Sequence, residues 1–109
     1  MKKVMIKKAG LRNKKIVVNA NKAKIKQDLG GGFRRFVFTF TINPFSFFTF
    51  TFTGGAWKPV SGGWWIANDT NQTAYAVSNY SWTPNNWRTV VYNPTSSTRT
   101  VAFTIIAKV

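Results

Sequence analysis

The chain has 109 residues, sixteen Lys and Arg against two acids, and no His or Cys, for a net charge of +14. It makes one domain at most, without disulfides, thiolate metal sites or a thiol nucleophile. It also lacks the imidazole that serves as the commonest general base. Asp28 and Asp69 flank the Gly30–Gly32 break and do not read as an acid/base pair. Hydrolytic, acyl-transfer and metal-dependent chemistry therefore lack parts, and the composition points away from an enzyme, a cofactor or a small-molecule substrate.

The first element is a basic arm. Lys2, Lys3, Lys7, Lys8, Arg12, Lys14, Lys15, Lys22, Lys24, Lys26, Arg34 and Arg35 are twelve of the sixteen cations. With Asp28 the only acid among them, the first thirty-five residues carry +11 and the remaining seventy-four carry +3. Such a segment needs a polyanion or an anionic surface to neutralise it. No aromatic precedes Phe33, so the arm is expected to grip phosphate backbone rather than stack on bases. If roughly half of its charges engaged duplex DNA, the log–log salt slope would be about −5. An anionic membrane is the other partner this charge allows.

Apolar residues in the arm are sparse: Val4–Ile6, Ile16–Val18 and Ile25. No run is long enough for a secretory h-region or a membrane helix, so a virion or pre-assembly cytoplasmic location is expected. A helix through 20–29 is conceivable on propensity but crowded by like charges. Ile16-Val17-Val18 is β-branched, and residues 14–20 can add as a strand to a sheet. Gly30-Gly31-Gly32 reads as a joint. It matches no phosphate-cradling motif. The expected division is an arm and joint over 1–32 and a body over 33–109.

Residues 33–53 hold nine of the ten phenylalanines. Phe36, Phe38, Phe40 and Ile42 alternate with Val37, Thr39 and Thr41. After Asn43-Pro44, Phe48, Phe50 and Phe52 alternate with Thr49, Thr51 and Thr53. Period two over seven residues predicts strands, and Asn-Pro predicts a turn through 43–46. The expected form is an antiparallel hairpin with a phenylalanine face and a threonine face. Such a hairpin could insert in a membrane, although its strands are short for spanning.

The remainder predicts short strands at Trp64–Ala67, Thr73–Tyr80, Trp87–Tyr92 and Arg99–Val109. Gly54-Gly55, Pro59, Gly62-Gly63, Asn68–Gln72, Thr83–Asn86 and Asn93–Thr98 are the expected breaks. Six body strands, plus one from the arm, make an all-β fold. The expectation is a small antiparallel β-sandwich, jelly-roll- or Ig-like, of about six to seven short strands with a basic N-terminal arm. Three N-x-[ST] matches fall in its Asn/Thr-rich turns and are read as turn chemistry.

A body this small and this aromatic is expected to place some rings at an interface. The candidates are Phe36, Phe38, Phe40, Phe48, Phe50 and Phe52, with Trp57, Trp64, Trp65, Trp82 and Trp87. With Tyr75, Tyr80 and Tyr92 these tryptophans also suit glycans and lipid headgroups. A basic arm, a glycine joint and a small sandwich together resemble the layout of many virion coat proteins, in arrangement rather than in motif. The expected function is a self-assembling structural protein, a virus or phage particle component. Its arm would contact nucleic acid or neighbouring subunits. The alternative is a cationic membrane-active protein, a small toxin or bacteriocin, that docks by the arm and inserts the Phe/Thr hairpin and tryptophans.

Overall fold

The computed structural model describes residues 12–67 and 73–109. Eight strands are seen: β1 (Asn13–Val18), β2 (Ile25–Gly30), β3 (Phe33–Ile42), β4 (Ser46–Thr53), β5 (Lys58–Ile66), β6 (Tyr75–Thr83), β7 (Asn86–Asn93) and β8 (Arg99–Lys108). They form two four-stranded sheets, ordered β1-β4-β7-β6 and β2-β3-β8-β5. Every pairing is antiparallel except that of β1 with β4. The small all-β sandwich expected from the alternation is therefore present.

The arm is not separate from this body over residues 13–30. β1 supplies the edge of one sheet and β2 the edge of the other, which raises the strand count to eight. Ile16 and Val18 face the core, and Val18 is buried. The helix conceivable over 20–29 shrinks to one 3-10 turn at Ala20–Lys22, opened by Asn19, whose side chain accepts from the Asn21 backbone N–H. Like charges disfavour a longer helix here, and backbone pairing with β3 favours extension. Gly30, Gly31 and Gly32 all have positive φ, the conformation the β2–β3 turn requires.

The Phe/Thr segment corrects a second expectation. β3 and β4 do not pair as a hairpin: they belong to opposite sheets and face each other across the core. Phe36 meets Phe52 at 5.8 Å, Phe38 meets Phe50 at 5.3 Å and Phe40 meets Phe48 at 5.3 Å. Phe103 of β8 stacks on Phe50 at 4.3 Å and 7°. An arch serves these sequences better than a hairpin, because each phenylalanine face then covers the other. Each fully buried ring contributes about 1.5–3 kcal/mol relative to exposure.

Five of the six phenylalanines expected at an interface, Phe36, Phe38, Phe48, Phe50 and Phe52, are thus fully buried core, and Phe40 packs half-buried against them. They cannot touch a partner or insert in a membrane without dismantling the fold. The turn is clamped by buried Asn93. Its Nδ2 lies within hydrogen-bond distance of the carbonyls of Ile42, Asn43 and Ser97, and its Oδ1 accepts from the Thr95 backbone and hydroxyl.

The threonine face also splits. Thr39 and Thr41 are exposed, but Thr49 and Thr51 are buried on the outer side of their sheet. Thr49 donates to Asn13 Oδ1, and Thr51 Oγ1 accepts from Arg88 Nε. Gly62-Gly63, expected as a break, lies inside β5. A Cβ on Gly62 would collide with Trp87 Nε1, so the glycine makes room for the indole. Pro59 is accommodated on this edge strand at a register shift.

Candidate polyanion-binding flank

Sheet order places β1 and β2 at the same side of the sandwich, joined by the 3-10 turn. Most of the described arm cations collect there. Arg12, Lys14 and Lys15 lie on or beside β1, Lys22 and Lys24 in the crossover, and Lys26 on β2, and all six are exposed. Arg34 and Arg35 follow on β3 and are half-buried. The Arg34 guanidinium lies 4.8 Å over the Trp57 ring, and Arg35 Nη1 donates to Gln27 Oε1. Lys2, Lys3, Lys7 and Lys8, with the cluster Val4–Ile6, fall outside the described residues.

Asp28 is the one acidic side chain among the described residues. Its Oδ1 accepts from the Gly30 backbone N–H, so it serves the glycine turn. The flank keeps its positive field nearly uncancelled. Exposed side chains with solvated heads suit phosphate contact because they lose few internal hydrogen bonds on binding.

The flank is also open. β2 pairs only with Phe33–Val37, so Phe38–Ile42 of β3 has β8 as its one partner strand among the described residues. A groove of about 390 Å³ lies here, lined by Val17, Val18, Phe38, Thr39 and Phe40 and rimmed by Lys22 and Lys24. A second, of about 290 Å³, carries Arg12 and Lys14 near the arch.

The opposite flank, β5 and β6, is built differently. Asn79 Nδ2 donates to the Gly62 carbonyl, while its Oδ1 accepts from Trp87 Nε1 at 2.8 Å and from Thr89 Oγ1 at 2.7 Å. These bonds tie the two sheets together. Trp64, Trp65 and Trp82 are exposed at 42%, 60% and 47%, while Trp57 and Trp87 pack half-buried against the core. Three of the five tryptophans expected at an interface are thus solvent-exposed, and two pack against the core.

On β6 and β7 the sequence groups Tyr75, Tyr80 and Tyr92 with the tryptophans but singles out neither Val77 nor Arg88. Tyr75, Val77 and Tyr80 are exposed, and the Arg88 guanidinium stacks 3.5 Å from the Trp82 ring. Their alternation was visible, but which face lay outward depends on the pairing of four strands. Among the described residues no helix is long and apolar enough to cross a membrane, and no three His, Cys, Asp or Glu gather as metal ligands.

A small two-sheet β-sandwich with a cationic flank is the class these observations define. Residues 14–107 match the YjdH family model, and the chain belongs to the YjdH family. The match takes in β1 from Lys14 onward and all of β2. No curated protein and no solved structure matches the chain.

Proposed function

We propose that this chain is a structural, non-enzymatic protein that holds a polyanion, nucleic acid above all, along its β1–β2 flank. In this reading it associates with other copies, as a component of a virus or phage particle does. The observation that carries the reading is the gathering of the described arm cations around one flank, with a single carboxylate that is already committed to a turn. Binding of this kind follows phosphate charge and is independent of sequence.

Exposed Trp64 and Trp65 support association between copies, because rings of that size are enriched where partners meet. Burial of the β3–β4 phenylalanines weighs against membrane insertion as the main activity. Size-exclusion chromatography with light scattering, with and without nucleic acid at low and high salt, tests the proposal. A nucleic-acid complex that forms at low salt and dissolves at high salt is expected, with self-association at high protein concentration. A monomer unmoved by nucleic acid would reject it. Dye release from anionic vesicles by the intact fold would restore the membrane reading.

A further inference from the structure

The outer face of the β1-β4-β7-β6 sheet joins residues that are far apart in the chain. Phe48, Phe50 and Phe52 point into the core, so Phe47, Thr49 and Thr51 point out. Val91 and Thr89 are buried inward, so Tyr92, Val90 and Arg88 point out. Register then lays rows across the face. Phe47 pairs with Tyr92 and Tyr92 with Tyr75. Thr51 pairs with Arg88 and Arg88 with Tyr80. Lys15 of β1 pairs with Thr49, between these rows.

The rings form a connected surface. Phe47 and Tyr92 are 4.5 Å apart by centroid, and Tyr92 and Tyr75 are 6.0 Å apart. Trp82 lies under the Arg88 guanidinium. Tyr75, Tyr80 and Trp82 remain 44%, 41% and 47% exposed. About 13 Å separates the Tyr92 row from the Arg88 row, four residues along a strand.

We propose that this face is a stacking platform for single-stranded nucleic acid, in which Phe47, Tyr92, Tyr75 and Trp82 take unpaired bases while Lys15 and Arg88 meet the backbone. The inference rests on the polyanion reading and deepens it by naming the strand state of the ligand. Unpaired bases offer flat π faces to aromatic side chains, whereas duplex bases are already stacked on one another. Among the described residues the face bears cations and no carboxylate, and it adjoins the cationic flank through β1. That charge favours a polyanion over a neutral glycan, the other ligand of aromatic surfaces. In this reading the basic segment, which carries no ring of its own in β1, works beside the rings of β4, β7 and β6.

The test uses the full chain and fluorescein-labelled oligothymidine, a duplex of equal length, and the double variant Tyr75→Ala/Trp82→Ala. Both positions are exposed, and a melting curve checks that the variant folds. The wild type is expected to prefer oligothymidine. The variant, which removes two stacking positions, should lose roughly thirtyfold or more in affinity for it and almost nothing for the duplex. Equal affinity of the wild type for both ligands, unchanged in the variant, would overturn the platform and leave the polyanion reading standing. Absence of binding to either ligand at low salt would remove both. A change in oligomeric state without a change in oligothymidine affinity would instead assign this face to contact between copies.

Discussion

The two flanks of the sandwich are made from strands of similar length, yet they differ in how their polar groups are satisfied. On the β5–β6 flank, Asn79 bonds the Gly62 carbonyl, the Trp87 indole and the Thr89 hydroxyl, so the polar atoms there answer one another. On the β1–β2 flank, six cations stand exposed, half of one strand edge has no neighbour among the described residues, and a groove runs between the sheets. The first arrangement stabilises the fold. The second leaves charge and backbone available to a partner. Substitutions within the Asn79 cluster should therefore cost stability, and substitutions of the exposed β1–β2 cations should cost binding.

The strongest perturbation reaches both flanks through the core they share. Phe50 is fully buried between Phe38 and Phe103. Phe50→Ala should cost about 3–5 kcal/mol in urea unfolding, enough to unfold a domain of this size. A loss below about 1 kcal/mol would mean that β3 and β4 do not meet face to face.

Next is Asn79→Ala, which leaves the indole N–H and the buried Thr89 hydroxyl without their acceptor. It should cost about 2 kcal/mol while nucleic-acid affinity stays at the wild-type value. Gly62→Ala attacks the same contact sterically, by pushing the Trp87 ring from its place. About 1–2 kcal/mol and a shifted tryptophan emission spectrum are expected. If either substitution weakened nucleic-acid binding as much as stability, the separation of the flanks would fail.

The smallest effect on stability belongs to Lys22→Ala/Lys24→Ala. Both side chains are exposed on the groove rim, and the thermal midpoint should reflect less than about 0.5 kcal/mol. A larger loss would mean that the rim lysines pack the fold rather than serve a ligand.

Much of this could be read from residues alone, and the misses have physical causes. The alternation in Phe36–Ile42 and Phe48–Thr53 identifies two strands and their apolar faces. It is the same whether the strands pair edge to edge or fold face to face, so arch and hairpin are indistinguishable at that level. β2 escaped notice because all six of its residues are exposed. With no buried side, it has no period-two pattern. β1 shows only Ile16 and Val18 as inward residues, amid lysines that read as a solvated tail.

Gly62 and Gly63 look like a turn because the demand on Gly62 comes from Trp87, twenty-five residues away. The cationic segment was plain from charge counting. Its meeting with Phe47, Tyr92 and Tyr75 was not, since that row exists only through the register of three strands.

The central claim is that the β1–β2 flank neutralises phosphates. Its most direct test is the salt dependence of nucleic-acid affinity for the full chain, compared with Lys22→Ala/Lys24→Ala/Lys26→Ala. The wild type should give a log–log slope near −5 on duplex DNA, and the variant a slope shallower by about 2–3, with its melting curve unchanged. An identical slope in the folded variant, or a wild-type slope near zero, would contradict the account.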